Sequence, residues 1–180
     1  MFKINYRFVD EDIQQFRKIN SEQFDKDFGG DISGQVELIF GDRSVGFYHD
    51  EVPFGNELIF HWFCRLNEVL EILESRDSSH YIAMNIMGSD QWIEIVNEGR
   101  LRVSLINSPG MTEIQNFIIK TPLLHTDTKE WGDKLIDHAE FKNEIKNSTL
   151  KLLQQINDLN SDLLRSNKLR RIQEFRRYYT

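Results

Sequence analysis

Apolar and polar residues alternate at the start of the chain, where every second residue from Phe2 to Phe8 is apolar or aromatic. A period of two predicts a β-strand, because successive side chains of a strand point to opposite faces. The same alternation appears at residues 35–40. It is followed by the turn sequence GDRS and a second apolar stretch at 45–49, which predicts a β-hairpin. A second hairpin is predicted at residues 91–105, where NEGR forms the turn.

Two other segments show helical spacing of their apolar residues. From Leu58 to Leu73 the apolar residues recur at intervals of three and four, which predicts an amphipathic helix that Asn56 is placed to cap. From Lys134 to the end there is no glycine or proline, and a second helical stripe runs through this segment. The stripe consists of Ile145, Leu152, Leu153, Ile156, Leu159 and Leu163. Residues 10–24 are expected to form a short helix or a structured loop.

These elements predict an α+β fold with a mostly antiparallel sheet. Further strands are expected in HYIAMNIMG (80–88) and in TEIQNFIIKTP (112–122). Consecutive hairpins need no crossover, so the strands should pair antiparallel, with one helix packed on the sheet. We expect residues 1–132 to form this α+β domain. Residues 133–180 should form a helical segment that packs on the domain or extends from it.

Composition restricts the class of protein. With 180 residues and 39% hydrophobic residues, the chain is long enough to bury a core. Its one cysteine excludes an intrachain disulfide and a four-cysteine zinc site. No apolar run approaches the length of a membrane span, and the N-terminus lacks the apolar region of a signal peptide. We therefore expect a cytoplasmic, bacterial-type protein that does not bind membranes.

The charge of the chain is uneven. Six basic residues and one acid lie between Arg165 and Thr180 and give this segment +5, so the other 164 residues carry −12 of the total of −7. An acidic body repels nucleic acid and favours basic partners, although moderate charge also simply keeps a protein soluble. The basic end, with its tyrosines, could be a nucleic-acid or membrane-surface helix. We favour cations placed at a helix C-terminus or docked on the acidic body.

His61 and Cys64 lie one helical turn apart and raise the question of a metal or Cys–His site. A metal site needs three or four ligands, and a reactive thiolate needs an electropositive neighbourhood. The pair instead sits among large apolar residues, including Trp62 and Phe63. We therefore interpret this helix as interior scaffolding and expect neither a metal nor a cofactor.

Two acidic stretches offer other candidates. DKDFGGDISG (25–34) faintly resembles a calcium loop, but Gly29 and Val36 occupy positions where an EF-hand needs ligands, so a flexible acidic loop is favoured. In FYHDEVPFG, His49 stands beside two acids and could serve acid–base chemistry. Neighbours on a strand point to opposite faces, however, so the trio should not converge.

Motifs for nucleotide binding, nucleophile elbows and metalloproteases are absent, and we expect a protein that is not an enzyme.

Three stretches resemble small bacterial immunity proteins, which are encoded beside polymorphic or contact-dependent growth inhibition toxins. They are GQVELIFGDRSVGFYHD, LIFHWFCRLNEVLEIL and WIEIVNEGRLRVSL, which together cover about residues 34–106. The resemblance is carried by the turn glycines and by Trp62–Phe63. It implies a non-enzymatic inhibitor that binds its toxin tightly.

The first hypothesis is thus an immunity or inhibitor-type protein whose partner is a cognate toxin, for example a basic nuclease, attracted by an acidic surface. The expected rim contacts are Asp25, Asp27, Asp31, Asp50 and Glu51. A second hypothesis is a small enzyme or ligand-binding domain with a site assembled from distant loops, which a pocket lined by His49, His61 and acids would favour. A third is an oligomeric module, such as a dimer, that uses the C-terminal helices as its interface.

Overall fold

The computed structural model of the chain describes residues 1–9, 11–75, 80–108, 117–123 and 128–179. Within these ranges the strands are β1 (Phe2–Phe8), β2 (Ser33–Phe40), β3 (Arg43–Phe47), β4 (Glu57–Leu58), β5 (Tyr81–Asn85), β6 (Gln91–Asn97), β7 (Leu101–Asn107), β8 (Ile118–Ile119) and β9 (Thr128–Ile136). The helices are α1 (Ile13–Phe16), α2 (Ser21–Asp27), α3 (Ile59–Glu74), α4 (His138–Asn160) and α5 (Asn167–Glu174), with 3₁₀ segments at Ser161–Arg165 and Phe175–Tyr178. The α+β class and the antiparallel pairing predicted from the sequence are confirmed.

The first sheet has the order β1-β2-β3, and β4 also pairs with β2. Its strands β2 and β3 form the first predicted hairpin, which turns at Gly41 with a φ of 68°. A positive φ strains most side chains but not glycine, so this residue suits the turn. The outer edge of β1 lies beside α4, where Glu140 and Glu144 accept hydrogen bonds from the backbone N–H groups of Phe2 and Ile4.

The second sheet has the order β8-β5-β6-β7-β9 and contains the second predicted hairpin, β6–β7. Strand β9 was not predicted. Its sequence TKEWGDKLI is interrupted by Gly132 and by Asp133, which has a φ of 60°, and its pairing with β7 contains register shifts. Those irregularities hide the alternation that identifies a strand. The expected domain boundary between residues 132 and 133 falls inside β9.

Helix α3 fills the space between the sheets and the C-terminal helices. It buries the aromatic residues Phe60, Trp62 and Phe63, as the scaffolding interpretation requires. The helix begins at Ile59, however, and Asn56 does not cap it. The preceding residues Glu57 and Leu58 instead pair with Ser33 and Gly34 as strand β4, which extends the backbone up to the first helical residue.

The apolar stripe of the C-terminal segment is buried inside the chain. Ile145, Leu152, Ile156 and Leu163 are fully buried in the same hydrophobic core as residues of both sheets and α3. Residues 133–179 therefore pack on the rest of the chain. The stripe is not available as the surface of a dimer, since its side chains already contact the core of their own chain.

Candidate functional site

Asp31 was predicted to be a rim contact in an exposed loop, and the structure corrects this. The residue is only 4% exposed. Its carboxylate accepts hydrogen bonds from the backbone N–H groups of Phe60 at 2.8 Å and His61 at 3.1 Å, and it pairs with Nζ of Lys168 at 3.1 Å. Asp31 thus caps the N-terminus of α3 from a distant part of the sequence, a position where a carboxylate satisfies free N–H groups and favours the helix dipole.

The other two aspartates of this stretch differ from each other. Asp25 accepts hydrogen bonds from the backbone N–H of Asn167 at 3.1 and 3.3 Å, at the first turn of α5. Asp27 is exposed at the end of α2. The predicted flexible loop is in its first part a helix with a capping box between Asn20 and Gln23. Of the three aspartates, only Asp27 keeps the exposed placement that a rim contact needs.

Asp50 and Glu51 are exposed, as predicted, and they lie in the loop between β3 and β4, here called the 48–56 loop. The same surface carries two large apolar side chains that the sequence analysis did not single out: Phe54 is 69% exposed and Phe47, the last residue of β3, is 47% exposed. Exposed aromatic residues are uncommon on soluble proteins and are enriched in protein interfaces. In the sequence, the stretch PFG after Asp50 and Glu51 was the feature that could have indicated this exposed apolar surface.

Polar side chains of β1 and β2 hold the 48–56 loop in place. The amide of Gln35, which is itself buried, donates to the carbonyls of Val52 at 2.9 Å and Phe54 at 2.6 Å and accepts from the N–H of His49 at 2.9 Å. Arg7 donates to the carbonyl of His49 at 3.0 Å and to that of Asp50. A loop fixed at four carbonyls loses little conformational entropy on binding.

The side chains at the start of this loop are also ordered. The ring of His49 stacks on that of Phe47, with centroids 6.5 Å apart, and its Nδ1 accepts the N–H of Glu51 at 3.3 Å. A hydrogen bond to the Asp50 carboxylate raises the pKa of the Tyr48 hydroxyl. His49 therefore bonds backbone rather than a carboxylate, an arrangement that supports loop geometry more than acid–base chemistry.

A second candidate site lies between α3 and α5. It is a groove of about 350 Å³. Helix α3 contributes His61, Cys64, Arg65 and Glu68. Lys168 and Arg171 of α5 also line it, together with Phe117 and Ile118. The two residues that we interpreted as interior scaffolding thus border an open groove, although their aromatic neighbours on α3 are buried.

The groove is not arranged for thiol chemistry. Burial raises the pKa of the Cys64 thiol to about 12, so the nucleophilic thiolate is scarce at neutral pH. The Nδ1 of His61 lies 3.1 Å from the Asp31 carboxylate. The cations of the groove are more distinctive. Arg65 is only 6% exposed, and burial lowers the pKa of its guanidinium, which nevertheless stays charged.

The basic C-terminal segment docks on the acidic face of α3, one of the alternatives favoured from the sequence. Arg171 pairs with Glu68 at 3.1 Å and Arg177 with Glu71 at 3.3 Å. The hydroxyl of Tyr179 donates to Asn67 at 2.5 Å in the interior. This part of the positive charge therefore neutralises acids of the same chain.

Three general findings complete the description of these sites. Within the ranges that the structure covers, no helix has the length and apolar character required to cross a bilayer. The same residues contain no group of three or more His, Cys, Asp or Glu side chains placed to hold a metal ion. Comparison of the chain with protein-family models, with curated proteins and with solved structures found no match.

Proposed function

We propose that the chain is an immunity or inhibitor-type binding protein that neutralises a cognate bacterial toxin in the cytoplasm by direct contact. The 48–56 loop, together with Phe47, is the proposed contact surface. The single observation that carries this proposal is the 69% exposed side chain of Phe54 on a loop that buried Gln35 holds rigid. Binding hot spots are typically aromatic anchors surrounded by polar residues, and this surface has that composition.

Charge supports a basic partner. Glu68 and Glu71 of α3 are engaged by C-terminal arginines of the same chain, whereas Asp50 and Glu51 stay exposed beside Phe54. An exposed acidic rim speeds encounter with a basic protein and selects against acidic ones. A basic nuclease would have this charge. Asp27 remains a predicted rim contact, while Asp25 and Asp31 are assigned to helix capping and are removed from the proposed interface.

The exposed edge of the first sheet adds area to this surface. Within the described residues β3 pairs only with β2, and four of its five residues are exposed. An edge strand can accept a strand from a partner, and main-chain hydrogen bonds then add to the side-chain contacts. The φ of 88° at Gly46 interrupts the regular edge, which limits pairing with unrelated strands.

The test uses the protein encoded by the reading frame next to the gene for this chain. Its expression alone should arrest the growth of a bacterial host, and co-expression of this chain should restore growth. The purified proteins should form a complex. A Phe54→Ala variant should protect poorly while unfolding at the same denaturant concentration as the parent. A neighbouring product that forms no complex with the folded parent chain would contradict the proposal.

A further inference from the structure

We propose that the groove between α3 and α5 is a binding site for a small organic phosphate, with its phosphoryl oxygens on the cationic residues and its apolar body against Phe117 and Ile118. This inference does not rest on the proposed protein-binding function, since the 48–56 loop contributes no residue to the lining of the groove. The volume of about 350 Å³ lies within the range of small-molecule sites.

The charges of the lining favour an anion. Arg65, Lys168 and Arg171 bring three positive charges to a chain whose net charge is −7. Among the described residues that line the groove, Glu68 is the one acid, and Asp31 lies behind them as the partner of Lys168. A surplus of cations in a concave, partly apolar site attracts oxyanions more strongly than the same charges on an open surface, because the walls exclude water.

Arg65 is the residue that most needs a partner. Its Nη1 donates to the carbonyl of Asn85 at 2.7 Å, but Nη2 is buried and has no hydrogen-bond partner among the described residues. A buried donor without a partner is costly, and an arginine donor is suited to a phosphoryl oxygen. The ring of Phe117, which is 43% exposed, lies 4.1 Å from the guanidinium carbon and covers it. A phosphoryl oxygen that enters the groove beside this ring would give Nη2 the acceptor it lacks.

The second cation, Arg171, is already placed for exchange of partners. Its side chain is 56% exposed, and its guanidinium pairs with Glu68 at 3.1 Å. An exposed ion pair contributes little free energy, so a phosphate can replace the carboxylate at small cost. Lys168 is held at the groove by Asp31 and by the carbonyl of Gly29 at 2.8 Å, which fixes the position of its charge.

The experiment titrates the full chain with phenyl phosphate and follows the backbone and arginine side-chain NMR signals. Saturable shifts are expected at Arg65, Lys168 and Arg171, and inorganic phosphate should bind more weakly because it leaves the apolar wall unused. Arg171→Gln should weaken the binding of phenyl phosphate by about tenfold, the loss of one charge-assisted hydrogen bond. Glu68→Gln should strengthen it, because the competing carboxylate is removed.

Arg170→Gln provides the matched control, because Arg170 is the exposed neighbour on the same helix and does not line the groove. The change in net charge is identical, and the affinity should stay at that of the parent. Three results would overturn the proposal: no saturable shift in the parent, an equal loss of affinity in Arg170→Gln and Arg171→Gln, or binding of benzoate as tight as that of phenyl phosphate. Each variant's fold is checked by its amide spectrum, so a loss of binding cannot be confused with unfolding.

Discussion

The carboxylate of Asp31 accepts the backbone N–H of Phe60 at 2.8 Å, although the two residues are 29 positions apart in the chain. The bond joins the segment after α2 to the first turn of α3, and Lys168 of α5 binds the same carboxylate. One buried acid in the segment after α2 therefore connects two separate helices, α3 and α5. These bonds position the first turn of α3, the helix along which the groove lies.

Asp31→Asn should destabilise the fold by about 1–3 kcal/mol, because the charge at the helix N-terminus is lost and Lys168 keeps no charged partner there. Urea unfolding measures the change as a lower midpoint. Asp27→Asn is the control, since this side chain is exposed, and it should change the free energy of unfolding by no more than about 0.5 kcal/mol. Equal midpoints for Asp31→Asn and the parent would show that the cap is unimportant.

Replacing Gln35 with methionine should release the 48–56 loop while keeping the buried volume. The variant loses the two hydrogen bonds donated to Val52 and Phe54 and the one accepted from His49. Amide hydrogen exchange at His49 should become faster by at least about tenfold, whereas the amides of β1 and β2 that pair with each other should keep their protection. If the His49 amide exchanges as slowly as in the parent, Gln35 does not hold the loop.

The buried hydroxyl of Tyr179 should make the folded protein less stable at alkaline pH. Burial raises its pKa to about 12, above the ordinary value of 10.0 that it regains on unfolding. The unfolded chain therefore releases this proton first, and the stabilisation is complete below pH 10 and falls as the pH rises towards 12.

Tyr179→Phe should unfold with a weaker dependence on pH in this window, since the buried hydroxyl is absent. At neutral pH it should lose only about 1 kcal/mol, the value of the hydrogen bond to Asn67. Denaturant midpoints at a series of pH values give both quantities. Parallel pH profiles for the variant and the parent would exclude Tyr179 as the group that titrates.

Cys64 should react slowly with thiol reagents in the native state. Its pKa of about 12 leaves far less thiolate at pH 8 than the ordinary value of 9.0 would give. A colorimetric disulfide reagent should modify the folded protein much more slowly than the protein in denaturant. Equal rates in the two conditions would mean that the thiol is neither buried nor perturbed.

The sequence was sufficient to predict those elements whose pattern of apolar and polar residues is local. Both hairpins and the buried face of α3 follow from periodicity, because period and burial coincide over many consecutive residues. The start of α3 was misplaced at Asn56 because its true cap, Asp31, is contributed by tertiary structure and leaves no local sign. Strand β9 was missed because Gly132 and Asp133 interrupt its pattern.

The candidate sites were harder to predict from the sequence, because they also depend on contacts between residues that are distant in the chain. The groove joins His61 to Lys168, more than one hundred residues later, and only packing of α5 on α3 brings them together. The spacing of Lys168 and Arg171, one turn apart on one helix, was the available hint. The acids of the loop at residues 50–51 were correctly expected to be exposed, but the significance of Phe54 depends on exposure, which the sequence alone does not show.

The most direct measurement of the proposed function is the rate of association between this chain and its proposed partner, the product of the neighbouring reading frame, at low and high salt. The double reversal Asp50→Lys, Glu51→Lys should slow association by about tenfold at low salt and weaken its salt dependence. The matched reversal Glu98→Lys, Asp158→Lys changes the net charge equally at exposed positions outside the loop and should have a much smaller effect. Equal association rates for the loop variant and its matched control would contradict the account, because the 48–56 loop would then not be the surface that meets the toxin.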